Sequence, residues 1–423
     1  MLKLFIILML LAMPKQMSAS NYEVITKLIA EHKYDEALEQ IKLAESLESG
    51  LLHLKIRALR NTNRFEEAIK FQQQLYSQDS TNVYYILELA NGYMSMYNYS
   101  NAISFFGKAI RLDPQNLYIR QRLADALFNN NQFSEAKPHY IKCRKTHSTH
   151  HLNKQLGRIY ENMNQPDSAI YYYELSLNQN PHDYTVVLRL TNIYRRNDQV
   201  KKALATSDRY LNINNNNLRV LRLNGQLQFI TGNYKKAILR YERCLTLGDS
   251  SLHVLQYTGM SLFKSDDYAG AIPFLEKAFL EAENNSNICL LLALSYIYTG
   301  KSESAIHQLH ELIGIITPSP ALLATAYQHL GESYTDINEH NTAIEIYKQA
   351  IITIPNDYRF HYFLADLYDN WFNNKEEALI YYENILSANN ENEEPLSGMN
   401  HLLIKHIENR VNHIKKESFW SAN

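Results

Sequence analysis

Several signatures of chemistry are missing from this chain. There is no glycine-rich phosphate loop and no G-x-S-x-G nucleophile elbow. His307, His310 and Glu311 read H-x-x-H-E, which is not the H-E-x-x-H order of a zinc protease; they are expected at exposed positions of a helix. Net charge is lacking too. Across 423 residues, 42 Lys and Arg face 44 Asp and Glu, a formal charge of −2. Nothing global therefore attracts nucleic acid. The apolar run at the N-terminus is too short to span a bilayer, and no later stretch is long enough either. Cysteine is scarce, with only Cys143, Cys244 and Cys289. Cys143 groups with His147, His150 and His151, and such side chains bind zinc. Their spacing fits no standard zinc pattern. No metal, no other cofactor and no small-molecule substrate is expected, with a metal-dependent enzyme built on this cluster as the alternative.

What is present is a column of alanines. Ala37, Ala68, Ala102, Ala136, Ala169, Ala203, Ala237, Ala271, Ala305, Ala343 and Ala378 follow one another at steps of 31, 34, 34, 33, 34, 34, 34, 34, 38 and 35 residues. Leu or Ile follows each of them except Ala136, where Lys137 stands. A column this regular is an internal repeat. The clearest copy runs from Ala324 to Asp357. Tyr327, Leu330, Gly331 and Tyr334 fall on one face of a helix. Asp336, Asn338 and Asn341 supply turn chemistry. Ala343, Ile344, Tyr347, Ala350 and Ile351 mark a second helix, which Pro355 stops. Gly331 and Ala343 have almost no side chain, so the two helices can approach closely there. A large residue at Ala343 would overpack the contact.

This pattern resembles the tetratricopeptide repeat, a helix–turn–helix unit of 34 residues. Its signature is matched here by Tyr327, Leu330, Gly331, Tyr334, Ala343, Tyr347, Ala350 and Pro355. A second good copy has Leu89, Ala90, Tyr93, Ala102, Phe106, Ala109 and Pro114. A third has Leu156, Gly157, Tyr160, Ala169, Tyr173 and Pro181, with Ser176 for the second alanine. Weaker copies lose the proline, as at Asn215 and Asp249. The resemblance implies an all-α, right-handed α-solenoid of about eleven helix pairs over residues 21–392. Most of the 31 tyrosines then serve core packing between helices. Two places depart from the period. The step to Ala343 carries extra residues in Thr317-Pro-Ser-Pro-Ala321, read as a longer loop, because two prolines do not extend a helix. The last repeat has one additional residue near Trp371.

The ends are distinct. Met1-Leu-Lys is positive, Leu4 to Met13 is nearly all apolar, and Met17-Ser-Ala19 offers small residues for cleavage. Residues 1–20 read as a secretory signal peptide, with an uncleaved anchor as the alternative. The expected location is the periplasm or outside the cell, in the cell envelope. Export implies oxidising surroundings, yet all three cysteines fall at helix-packing positions. Cys143 and Cys244 lie three repeats apart, beyond the Cα reach of about 7 Å that a disulfide needs. Three buried, inert thiols are expected. Residues 393–423 read as a capping helix and tail. Leu403, Ile407, Val411 and Ile414 form an apolar face, and Lys405, Glu408, Asn412 and Lys415 a polar one. Partner binding or membrane-surface binding by this helix is the alternative.

In tetratricopeptide proteins the first helices of the repeats line a concave groove that holds a peptide. Carried onto this chain, the resemblance places Lys154, Arg158, Asn192, Arg195, Arg196, Arg219 and Arg222 in a basic band. Arg suits bidentate carboxylate binding; a solvated face offset by nearby acids is the plainer alternative. Phe229, Met260, Phe263, Leu290, Leu294 and Ile297 follow as an apolar strip, either open to a partner or buried by curvature. The implied function is a non-catalytic scaffold that binds another protein or peptide. A promiscuous, chaperone-like holder of exported clients is the rival.

Overall fold

The computed structural model describes residues 19–43, 49–282, 285–315, 319–391, 396 and 399–421. The apolar run read as a signal peptide lies outside the described residues. Among those described, every regular element is a helix. The chain divides into two compact units after Asn197.

The first unit holds α1 (Ala19–Ala30), α2 (Tyr34–Lys42), α3 (Ser49–Asn61), α4 (Phe65–Gln78), α5 (Val83–Ser95), α6 (Tyr99–Leu112), α7 (Leu117–Asn129), α8 (Phe133–Thr146), α9 (His150–Asn162), α10 (Pro166–Gln179) and α11 (Tyr184–Arg196). The second holds α12 (Val200–Ile213), α13 (Leu218–Ile230), α14 (Tyr234–Thr246), α15 (Leu252–Lys264), α16 (Tyr268–Glu281), α17 (Ser286–Tyr298), α18 (Ser302–Ile315), α19 (Pro320–Asp336), α20 (His340–Thr353), α21 (Arg359–Asp366), α22 (Lys375–Glu391) and α23 (His401–Ser421). Within each unit successive helices pack on their neighbours in sequence, which is an α-solenoid.

One residue ends each first helix. His32, Asn63, Tyr97, Asn131, Asn164, Asp198, Gly232, Asp266, Gly300, Asn338 and Asn373 all have φ between 49° and 76°. Asn, Asp and Gly tolerate this left-handed conformation best. It lets the next N–H turn back onto the helix, as Asn98 does to the Tyr93 carbonyl (2.9 Å) and Glu339 to that of Tyr334 (2.8 Å). Every alanine of the column is buried. The opposing glycine is equally constrained. A Cβ on Gly331 would stand 2.2 Å from the Tyr347 ring, and one on Gly157 2.5 Å from that of Tyr173. The aromatic side chain of the second helix occupies the space the glycine leaves.

Both departures from the period are helical. The first helices α3 to α17 each have 13 residues, but α19 has 17. Pro320 sits in its first turn, where a missing N–H costs nothing. The insertion expected as a loop therefore includes one more turn of helix; residues 316–318 lie outside the described residues. The extra residue near Trp371 becomes a π-helix at Leu367–Trp371. There the Asn374 N–H reaches back six residues to the Tyr368 carbonyl (2.8 Å), instead of the five that Glu339 spans.

The π-helix turns Asp369 inward. Its side chain is 1% exposed and meets Lys375 Nζ at 2.5 Å and Arg410 Nε at 2.6 Å. Arg410 comes from α23, whose Ile407, Val411 and Ile414 are buried with Tyr382 and Ile385 of α22. Leu403 packs at the margin of the same cluster. Burial pushes the Asp369 carboxyl up, but hydrogen bonds and charge from Arg410 and Lys375 outweigh it and hold it below the usual range.

Candidate partner-binding face

In the first unit, the first helices α3, α5, α7, α9 and α11 present a face crossed by polar links. Arg60 of α3 pairs with Glu88 of α5 at 3.1 Å. Arg122 of α7 donates to Asn91 Oδ1 of α5 at 2.8 Å. Arg189 of α11 pairs with Glu161 of α9 at 2.9 Å. The acids have a second duty: Tyr140 and Tyr173, both fully buried, donate their hydroxyls to Asp125 (2.5 Å) and Glu161 (2.6 Å). A buried hydroxyl needs such a partner. Burial raises the Asp125 carboxyl, although Tyr140 and Arg122 pull the other way.

These links divide the expected basic band. Lys154 is not free: its Nζ lies 2.9 Å from Asp183, and both side chains are largely buried. Among the described residues Arg158 has no carboxylate at ion-pair distance, although the charge of Glu161 is felt there. Its guanidinium lies 4.4 Å above the Phe128 ring and donates to Gln155 Oε1 at 3.1 Å. Burial, with Arg189 nearby, pulls its pKa below the ordinary value. Asn192 and Arg195 are half-buried and Arg196 is exposed. Sequence reasoning missed Asp125, Glu161 and Asp183. All three could have been found by asking where each buried tyrosine hydroxyl and each groove-facing cation finds a partner.

In the second unit, Arg222 lies 3.5 Å from Asp249, while Arg219 is exposed. The apolar residues are neither open nor fully buried. Phe229 packs edge-on to Tyr257 (5.3 Å between centroids) and against Tyr234. Phe263 packs on Tyr268 at 5.2 Å. Met260 and Leu294 are half-buried, and Leu290 and Ile297 flank the core that Tyr327 and Leu330 share. Aromatic neighbours thus flank Phe229 and Phe263 of this strip.

The Cys143 group does not assemble. Cys143 is buried, with its Sγ 3.7 Å from the Leu117 carbonyl, whereas His147 and His150 are exposed and His151 is half-buried. Among the described residues no three His, Cys, Asp or Glu side chains gather as a metal site. Burial raises all three thiols, that of Cys244 to about 11, which removes thiolate reactivity near neutral pH. Cys289 shares a hydrogen bond with the Gln308 side chain at 2.9 Å. His307, His310 and Glu311 are exposed on α18, as expected. Among the described residues no helix is long and apolar enough to cross a membrane.

Comparison with known families agrees with the helix pairs. Models of the tetratricopeptide repeat match residues 93–139 and 324–356. The model for subunit 3 of the anaphase-promoting complex, or cyclosome, matches residues 162–244 and 230–312. This chain carries tetratricopeptide repeats. No curated protein matches it. Solved structures similar to it include a tetratricopeptide repeat protein from Parabacteroides merdae, with 16% identity over 59% of this chain and 98% of that one and a TM-score of 0.39. YrrB, described as a TPR protein with an unusual peptide-binding site, has 16% identity over 44% of this chain and 96% of that one, with a TM-score of 0.37. MamA from Desulfovibrio magneticus has 15% identity over 41% of this chain and 99% of that one, with a TM-score of 0.38. Tetratricopeptide repeats bind proteins or peptides.

Proposed function

We propose that this protein is a non-catalytic scaffold that holds a segment of a partner protein against the first helices of its repeats. The observation that carries the reading is the unequal fate of the basic side chains in the first unit. Lys154 is neutralised within the fold, whereas Arg158 is held half-buried on Phe128 with no close ion pair among the described residues. A desolvated guanidinium in that state gains most from an incoming acidic group. Arg195 and Arg196 add charge at the end of α11. In this reading the segment bound by the first unit is acidic, and the second unit separately offers the half-buried Phe229, Met260 and Phe263 as an apolar contact. Export to the cell envelope is part of the proposal and rests on the composition of residues 1–20. Promiscuous holding of unfolded clients is the weaker reading, because it needs a broad open apolar surface and Phe229 and Phe263 are already engaged by neighbouring tyrosines.

The test starts with affinity capture from crosslinked cell envelopes by the chain from Asn21. The partner so identified is then titrated against the Arg158→Glu, Arg195→Glu double variant. Binding is expected to weaken at least about tenfold, with the helical circular dichroism unchanged. Unaltered affinity would remove these arginines from the site.

A further inference from the structure

The strongest unassigned feature lies elsewhere in the first unit, between the α3–α4 and α5–α6 pairs. Two cavities meet there, of about 530 and 760 Å³, and Phe65 and Ser95 form part of the wall of both. The smaller one opens on the first-helix face beside His53, Arg57 and Arg60. The larger one lies over the turns that end α3 and α5, beside Arg64, Met96 and Tyr97. Together they make one trough that leaves the first-helix face and crosses the turn edge.

Its chemistry is graded. At the α3 end, Arg60 is matched by Glu88, but Arg57 is exposed and has no acidic partner among the described residues. His53 beside it is fixed against the rings of Tyr84 (5.4 Å) and Tyr85 (5.7 Å). At the other end, Arg64 is taken up by Glu67 through two bonds of 2.7 Å, leaving Glu66 exposed. The trough is therefore cationic on the first-helix face and acidic at the turn edge, with Phe65 and Met96 between.

Tyr97 carries the second observation. It occupies the left-handed turn position (φ 58°) that asparagine, aspartate or glycine holds in nine of the other ten pairs. A bulky side chain is disfavoured there, and this one is 79% exposed, its one ring contact among the described residues being edge-on to Tyr99. Folding gains little from a tyrosine in this place. Disfavoured backbone kept at a cavity rim points to use by a ligand.

We infer that this trough is a second binding site, for an extended peptide segment whose carboxylate side chains meet Arg57 and whose apolar or aromatic side chains lie over Phe65, Met96 and Tyr97. The inference rests on the reading of the chain as a protein-binding scaffold but uses none of the residues of α9 to α17. Charge complementarity sets the direction: acidic groups belong at the Arg57 end, away from Glu66.

The probe is a terminally blocked, fluorescently labelled hexapeptide carrying two aspartates followed by leucine and phenylalanine. Its twin has both aspartates replaced by asparagine. Fluorescence anisotropy with the full chain is expected to show the acidic peptide binding at least about tenfold tighter than the twin. Arg57→Ala should remove that preference. Tyr97→Asn should weaken the acidic peptide about threefold or more while raising the thermal midpoint by about 2–4 °C, a pairing that a merely structural tyrosine would not give. Equal binding of the twins, no binding of either, or unchanged affinity in Arg57→Ala overturns the site. Loss of binding in Arg158→Glu, Arg195→Glu but not in Arg57→Ala also overturns it, while leaving the site of α9 and α11 standing.

Discussion

Gly331 and Tyr347 are one packing decision written at two positions. The ring fills the space where a Cβ on Gly331 would stand, 2.2 Å away, and the alternative of moving a helix would disturb both neighbours. Gly331→Ala is expected to cost about 1–3 kcal/mol. Amide exchange in α19 and α20 reads the loss as a lower opening free energy, and an unchanged value would mean that the ring can shift freely. Combining it with Tyr347→Ala should cost less than the sum of the two, since they share one contact. Where the aromatic is absent the core changes character. Ser207 is buried at the equivalent place and bonds Asn224 Nδ2 at 2.8 Å, and Asn224 also accepts from Arg240 at 2.9 Å. The alanine column does not reveal this polar network, because a period records size and not hydrogen-bond partners.

At the scale of elements, one added residue changed what the last pair can do. In the π-helix the inserted residue rotates Asp369 to meet Arg410 of α23, a partner 41 residues away. Arg410→Ala leaves Asp369 buried with Lys375 alone, and removing one member of a buried pair costs about 3–5 kcal/mol. Arg410 is partly exposed, so about 2–3 kcal/mol is expected, read as lost exchange protection in α23. The sign with pH follows from the depressed carboxyl. The contribution of Asp369 is whole above its unfolded value of about 3.9 and is lost as pH falls through the lower folded value. Docking of α23 should therefore weaken below about pH 4, and Arg410→Ala should flatten that dependence. Deleting Asn370 would restore the ordinary turn and swing Asp369 by about 100°. Its cost should match that of Arg410→Ala and not add to it; additive costs would separate the π-helix from the docking of α23.

For the molecule as a whole, stability in a repeat array is held between neighbours. A chain ending at residue 391 should lose protection in α21 and α22, where Tyr382 and Ile385 would meet water, and keep it across residues 49–196. A fall in that distant segment would contradict nearest-neighbour stability. The sequence by itself determined the helix pairs, their number and their buried alanines, because a spacing near 34 residues and an apolar face of period 3.6 are local and repeat eleven times. It also marked the two irregular places by count alone. Only the tertiary structure decided what those irregularities became: a further helical turn beginning at Pro320 and a π-helix at Leu367–Trp371. It alone decided which cations remain available, since Lys154 and Asp183 are 29 residues apart in sequence yet 2.9 Å apart in space. Arg57 and Tyr97 likewise come to one trough only through packing of the α3–α4 pair against α5 and α6. A period fixes what each residue is to its own helix, but charge and cavity depend on which side chains of neighbouring repeats face one another, and that pairing has no local signature.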